Sequence, residues 1–467
     1  MKGIIKVFDP SLKKNKTAAE LFESAADLPL ICPHTHVDPR LFANPEAGFS
    51  NPAFLFVTPD HYVVRMLISQ GIRFEQLGIF PVNEKECTGD PREIWQLFCE
   101  HFSLFDGTPS GLWIRNALSM VFDISDKPNG ENADDLYDRI ISALQEPDFS
   151  PRHLFERFNI EVLCTTDSAR DSLEAHDRIK ASGWTGQIRP TFRPDALIQI
   201  GRPGWIDDMD KLSQVSGVSI AHFSDYLEAL SLRREVFKAK GAVAIDLGVE
   251  TPYTCQLSAE EAEVLFQKGL RGKLSHDEAR QFGGLMIYEM ARMSLEDGLV
   301  MQLHAGSYRN HHPYVYETYG PDHGFDIPVQ VEWTRNLKPL LDSFGMDQRL
   351  RLILFTLDES GYSRELAPLA GSYPAIRLGP PWWFHDSPEG MLRYFDAVVE
   401  TAGFNNLVGF NDDTRAFLSI PARHDLWRQM SALWLAKLVR RGQISMNTAR
   451  MRMVDLAYNL AKQGYRL

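Results

Sequence analysis

The stretch "LVMQLHAG", residues 299–306, passes without interruption from apolar residues into a histidine and a glycine turn. Seven more runs share this form: "LPLIC" (28–32), "IEVLCTT" (160–166), "IRPTF" (188–192), "AVAIDLG" (242–248), "LRLILFT" (350–356), "AIRLG" (375–379) and "LVGFND" (407–412). Continuous Val, Ile and Leu runs suit strands buried on both faces, as in a parallel sheet covered by helices. Most of the intervening stretches have helical patterning. Before the fourth run, Ser224 is placed to cap a helix whose Leu227, Leu230 and Phe237 share a face, with Lys238 and Lys240 near its end and Gly241 beyond it. Eight strands alternating with helices predict an α/β fold, a (β/α)8 TIM barrel.

The gap between the first two runs is too long for an ordinary strand-to-helix connection. Segments such as "PREIWQLFCEHF" and "ADDLYDRIISALQ" predict that it is a helical insertion after strand 1. The expected organisation is therefore an amino-terminal segment with strand 1 over 1–39, a mainly helical insertion over 40–150, and the rest of the barrel with carboxy-terminal helices over 151–467. Segment 256–297 also reads as helical.

The chain has 467 residues, of which 44% are hydrophobic and 24% charged, ordinary for a globular enzyme with a large core. Its net charge of −13 argues against nucleic acid or an anionic membrane as the main partner, so an acidic substrate needs a local arginine cluster. The start, "MKGIIKVFDPSLKKNK", lacks the apolar region of a secretory signal, and no stretch is long and apolar enough to span a membrane, so a cytoplasmic location is expected. Five cysteines, Cys32, Cys87, Cys99, Cys164 and Cys255, without a CxxC pair, indicate neither a disulfide scaffold nor a thiolate zinc site; Cys32 and Cys164 read as core.

A barrel of this kind carries its chemistry at the carboxy-terminal ends of its strands. Strand 1 ends in His34 and His36, and in an extended His-x-His both imidazoles lie on one side. Neutral imidazole suits zinc or another divalent transition metal. Strand 5 ends in His304, and "NDDTR" after strand 8 offers Asp412, Asp413 and Arg415. An isolated HxH is more simply explained by hydrogen bonding to loop carbonyls. Convergence of His34, His36, His304 and Asp413 on one mouth favours a metal site. Strand 4 brings Asp246 but no lysine, and strand 6 no histidine, so at most one metal is expected.

Arg193 in "TFRPD" and Arg415 stand near the same mouth, where guanidinium groups bind a carboxylate bidentately. Arg423 in "PARHD" reads instead as a surface or carboxylate-paired arginine. In "PPWWFHD", Trp382 and Trp383 are candidates to line a sugar-sized pocket, with at least one indole expected to be barrel or insertion core. "TPDHYVVRML" sets His61 and Tyr62 in the first turn of a helix capped by Thr58 or Asp60.

Taken in order, "HTH", "DHYVVRML", "CTTDSARDSLEAHDRI", "TFRPDA", "LHAGSYRN", "WWFHD" and "DDTRAFLSIPARHD" resemble the uronate (glucuronate) isomerase family of the amidohydrolase superfamily. The resemblance covers most of the chain. It implies an amidohydrolase-type barrel with a helical insertion, one divalent metal site with zinc expected, and aldose–ketose isomerisation of hexuronates such as D-glucuronate to D-fructuronate and D-galacturonate to D-tagaturonate. Carried over by motif, His34, His36 and Asp413 are implied as metal ligands with His304 close by. Arg415 and Arg193 are implied to engage substrate, and His61 and Tyr62 to complete the site. Relatives commonly carry Asp-His-Gly near strand 4, where this chain has Asp246, Leu247 and Gly248; its tail, "YNLAKQGYRL", also departs from the shorter ending of many relatives.

Such an isomerase removes the proton at C2 of an open-chain sugar acid and returns it at C1 through a cis-enediol. Asp413 is the main acid/base candidate, with Tyr62 or His61 assisting at the second oxygen. Arg193 and Arg415 are expected to fix the carboxylate, and His61, Trp383 and His304 to contact substrate. The metal need not be strictly required. The rival is a mononuclear metal-dependent hydrolase of a sugar-acid lactone, amide or ester; a third reading is a silent sugar-acid-binding barrel. A small-molecule hexuronate is the expected partner, with no nucleic acid and no membrane, and a homo-oligomer is compatible.

Overall fold

The computed structural model describes residues 10–44, 48–84 and 88–467, so Cys87 and most of the amino-terminal stretch read above lie outside the described residues. Seven parallel strands form the barrel: β1 (Leu30–Cys32), β2 (Ile160–Cys164), β3 (Gln187–Arg189), β4 (Ala244–Val249), β5 (Val300–Ala305), β6 (Leu352–Thr356) and β7 (Ile376–Leu378). β1 pairs with β2 and β2 with β3. The short segments Asp167–Ser168 and Phe192–Arg193 then carry the pairing on to β4, which pairs with β5, β5 with β6 and β6 with β7.

The eighth run is not the regular strand its sequence predicts. It contributes one parallel bridge, Leu407 to Leu378. It then closes the barrel onto the end of the first run through Asp413 N–H to the His34 carbonyl at 3.3 Å and His36 N–H to the Thr414 carbonyl at 3.0 Å. A left-handed Gly409 and a left-handed Asp413, at φ values of 71° and 42°, interrupt the extended backbone a ladder requires.

Side-chain alternation sorts the core. Ile245, Leu247, Met301, Leu303, Leu352 and Leu354 face the surrounding helices, whereas Ala244, Val300, Ile353 and Phe355 fill the barrel interior. Both faces are dry, which is why these runs read as continuously apolar. Register places Asp246 beside Gln302 and Gly248 beside His304, so the interior-facing set turns polar toward the mouth. The base is filled by the tail: Tyr465 is fully buried in the interior cluster and its hydroxyl donates to Gln302 Oε1 at 2.9 Å.

Between β1 and β2 the described residues hold helices and no strand, including Pro52–Phe56, His61–Ile68, Pro91–Glu100, Pro109–Phe122 and Ala133–Leu144. Their apolar faces pack into a core of their own with Leu30, Cys32 and Ile160. Segment 256–297 forms two helices, Ala259–Leu270 and His276–Asp297, each opened by a serine capping box at Ser258 and Ser275. Ser224 does not cap its helix. The helix Phe223–Ala239 begins two residues earlier than a cap at Ser224 implies, with His222 at the cap and Asp225 accepting the His222 N–H. The longer Asp225 side chain, three positions into the helix, reaches back to a donor that a serine inside the first turn cannot serve.

Candidate active site

His34 and His36 leave the end of β1 in extended backbone and reach across to the turn that closes the barrel. His34 Nε2 lies 3.3 Å and His36 Nε2 3.2 Å from the same Asp413 oxygen, Oδ1. Asp413 holds this position in a left-handed conformation, which aspartate tolerates better than most residues. Burial opposes ionisation of Asp413, but His34 and His36 outweigh it and hold the carboxyl well below its ordinary range. Burial lowers the His36 imidazole; His34 is also buried, yet Asp246 and Asp413 raise it.

His304 joins a different group from the one expected of it. Its Nδ1 lies 2.7 Å from Asp246 Oδ1, while its ring stacks on Phe355 at 4.0 Å and on His34 at 4.9 Å. Ligand atoms of His34, Asp246 and His304 form a second triad that shares His34 with the His34–His36–Asp413 group. His34 Nδ1 and His304 Nε2 are buried without a hydrogen-bond partner among the described residues. In a tetrahedral site with bonds of about 2.1 Å, neighbouring ligand atoms stand about 3.4 Å apart. The spacing of His34, His36 and Asp413 fits that requirement, and two imidazoles with one carboxylate suit a divalent transition metal.

A cavity of about 660 Å³ opens above this floor, lined by His36, Asp413, Arg193, His61, Tyr62, Trp383 and Arg415 among others. Arg193 sits on the side wall, its Nε donating to Asp195 Oδ2 at 2.8 Å and its Nη1 lying 3.4 Å from Asp246 Oδ2. The absence of a side chain at Gly248 permits this arrangement, since a Cβ there would come within 3.0 Å of Asp195 Oδ2 and 3.1 Å of Arg193 Nη2. Arg415 stands at the rim, paired with Asp322 at 2.7 Å.

His61 and Tyr62 come from the helix His61–Ile68, whose cap is Asp60: its Oδ1 accepts the N–H groups of Tyr62 and Val63. Thr58 instead donates to the Leu77 carbonyl. The His61 ring meets Trp383 edge-on at 5.8 Å and its Nε2 is buried without a partner among the described residues. Burial, assisted by Arg415, pushes His61 down to about 4, so it is a neutral imidazole at neutral pH. The Tyr62 hydroxyl donates to Asp386 Oδ1 at 3.0 Å and accepts from the Phe384 N–H at 2.9 Å. Trp382 is the core indole of its pair, 8% exposed and packed against His304 at 4.7 Å.

Arg423 is carboxylate-paired, one of the two placements expected of it: its Nη1 lies 3.2 Å from Asp386 Oδ2 and its guanidinium covers the Trp113 ring at 3.7 Å. Leu247 is fully buried on the helix-facing side of β4, so its side chain points away from the cavity and the departure from Asp-His-Gly leaves the lining unchanged. Sequence reading missed several lining residues, among them Arg309, Asp322 and Asp386. Asp386 lies in a quoted aromatic stretch, where an aspartate among apolar residues was the available signal. Arg309 lies in the quoted "LHAGSYRN", where a charged residue just beyond the strand 5 end was the available signal, whereas Asp322 follows the short helix Pro313–Tyr319 in a stretch that no motif marks.

The family model described as glucuronate isomerase matches residues 5–465 of the chain. A curated uronate isomerase of Nostoc punctiforme is 54% identical over 460 residues, covering 98% of this chain and 97% of the relative. Among solved structures, the glucuronate isomerase from Caulobacter crescentus superposes with a TM-score of 0.95 at 46% identity, covering 99% of this chain and 95% of that one. The uronate isomerase from Thermotoga maritima superposes with a TM-score of 0.91 at 27% identity, covering 98% of this chain and all of the other.

Proposed function

The chain belongs to the glucuronate isomerase family, and from that premise we propose the following division of labour for a hexuronate isomerase in the cavity at the barrel mouth. The enzyme interconverts an aldehyde acid and its keto isomer. The observation that carries the residue assignment is the meeting of His34, His36 and Asp413 beneath a cavity whose lining includes Arg193 and Arg415. His34, His36 and Asp413 hold one divalent metal, zinc in our reading, with His304 next to them. When bound, the metal polarises the sugar's oxygens and favours charge developing on them.

Arg193 and Arg415 approach from the side wall and the rim, offering the substrate carboxylate the paired guanidinium contacts that the acidic background otherwise denies it. His61, neutral and with a free nitrogen, donates to or accepts from a substrate hydroxyl. Tyr62 faces the same space, and Trp383 lays an apolar wall beside the sugar carbons. Asp413, ionised across the working range, receives the C2 proton and returns it to C1. The hydrolase reading is not favoured, since the relatives at high identity over nearly the whole chain are uronate isomerases.

Incubation with D-glucuronate and, separately, D-galacturonate in D₂O, followed by NMR, tests the function and ranks the substrates. Ketose formation with deuterium entering C1 supports it, and no ketose from either acid overturns it. Asp413→Asn and His34→Ala test the metal assignment. Both are expected to lose stoichiometric metal, read by elemental analysis; metal retained at wild-type level in both removes the assignment.

A further inference from the structure

We propose that Asp386 is a positioning residue for the isomerisation, holding through the Tyr62 hydroxyl the proton that moves between the two reacting oxygens. The inference rests on the reading above that Tyr62 faces those oxygens. A phenol has one hydrogen to donate and two lone pairs with which to accept. Tyr62 gives its hydrogen to Asp386 Oδ1 at 3.0 Å, and one lone pair takes the Phe384 N–H at 2.9 Å. What remains toward the cavity is a lone pair, so Tyr62 meets substrate as an acceptor whose own proton is already directed at a carboxylate. The arrangement is built in: Phe384 is a bulky residue held at φ 71°, a conformation such residues avoid, and this turn aims its N–H at the tyrosine oxygen. The far oxygen of Asp386 lies 3.2 Å from Arg423 Nη1, so the carboxylate is anchored on one side and reactive on the other.

Aldose-to-ketose conversion needs two exchanges. The C2–H bond breaks to a base and a C1–H bond later forms from it; on oxygen, the O2–H bond breaks and an O1–H bond forms. In the second exchange the O2 proton passes to Tyr62 Oη as the tyrosine's own proton passes to Asp386. The flow then reverses to O1, with the O–H electron pair left on O2 becoming the C2=O bond as C1 is protonated. Asp386 begins and ends ionised, and no other reactant is consumed. Burial, partly offset by Arg423 and Tyr62, pushes the Asp386 carboxyl up to about 6, suited to lending and recovering a proton near neutrality. Phenolate is not required: burial and Asp386 hold the Tyr62 hydroxyl well above its ordinary range. The titratable and charged groups facing Asp386 are Arg423 from the helix Ile420–Arg440, the neutral Tyr62 hydroxyl from the helix His61–Ile68, and Asp413 at longer reach.

The test is the pH profile of kcat and KM on D-glucuronate for the metal-loaded wild type, Asp386→Asn, Tyr62→Phe and the double variant. Asp386→Asn is expected to lower kcat about 10²-fold with KM within about threefold of wild type, the pattern of an interaction made in the transition state. It also loses the acid limb near pH 6, and the double variant falls no further than Tyr62→Phe alone. A kcat for Asp386→Asn within about twofold of wild type, or losses that multiply in the double variant, overturns the proposal. If Asp386→Asn does not fold, Tyr62→Phe severs the path while keeping the Asp386–Arg423 pair, and an unchanged acid limb there overturns it equally. A wild type that makes no ketose refutes the isomerase reading itself, an outcome distinct from a working enzyme indifferent to Asp386.

Discussion

Asp246 Oδ1 lies 2.7 Å from His304 Nδ1 while its other oxygen lies 3.4 Å from Arg193 Nη1. One interior carboxylate of β4 thereby orients an imidazole from β5 and a guanidinium beyond β3. His304, Arg193 and His34 hold Asp246 ionised despite its burial, so it accepts the His304 proton and leaves Nε2 free to face the floor of the site. Asp246→Asn is expected to lower kcat/KM about 10–100-fold, the range for losing a group that orients ligands. Steady-state kinetics with metal content measured in parallel checks it; an unchanged kcat/KM removes Asp246 from the support of the site.

Arg415 at the rim is occupied by Asp322 at 2.7 Å. If a substrate carboxylate takes Arg415, it displaces this internal one, and the two variants act oppositely. Arg415→Ala is expected to raise KM about 10–100-fold, the cost of a charge-assisted hydrogen bond. Asp322→Asn is expected to lower KM, by less than that because the pair is partly exposed and screened. A higher KM in Asp322→Asn would show that the aspartate orders Arg415 rather than competing for it.

Asp167 is a buried carboxyl outside the cavity lining, held by the Thr165 hydroxyl at 2.6 Å and pushed by burial up to about 7. A raised folded-state value means that the folded chain binds the proton more tightly than the unfolded one. This contribution to stability is full below the unfolded value near 3.8 and is lost as pH rises through about 7. Asp167→Asn, which cannot ionise, is therefore expected to gain stability relative to wild type between pH 5 and pH 8, by about 2 °C or more in Tm. Thermal unfolding at both pH values reads it, and a gap that narrows with rising pH contradicts it.

Tyr465 seals the barrel base by donating to Gln302 Oε1 at 2.9 Å. Removing its hydroxyl leaves a buried acceptor without its donor, so Tyr465→Phe is expected to cost about 1–3 kcal/mol of stability. Because the cavity opens at the opposite end, kcat and KM should stay near wild type. Urea unfolding together with kinetics separates these effects, and a loss of kcat in the folded variant would tie the base of the barrel to the mouth.

Much of the barrel is legible in the chain, because burial on both faces leaves a direct signature in apolar runs such as "LVMQLHAG", and strand ends then point to His34, His36 and His304. The eighth run is less so. Its apolar residues predict a strand, but whether they make a ladder depends on backbone conformation at Gly409 and Asp413, which hydrophobicity does not encode. The cap at Ser224 fails for a related reason: capping depends on which of several nearby side chains reaches the first donors, and Asp225 reaches them.

The sequence by itself determined the repeating strands and helices, the aligned His34 and His36, and the arginines that balance an acidic chain, because periodicity and residue chemistry are local properties. Which partners those groups meet was decided only by the tertiary structure. Closing the barrel brings Asp413 to His34 and His36 across nearly the whole chain, hands His304 to Asp246, sets Asp386 behind Tyr62 and turns Leu247 away from the cavity. Those pairings follow from register and barrel closure, which bring residues from different strands and loops together at distances that no window of sequence contains.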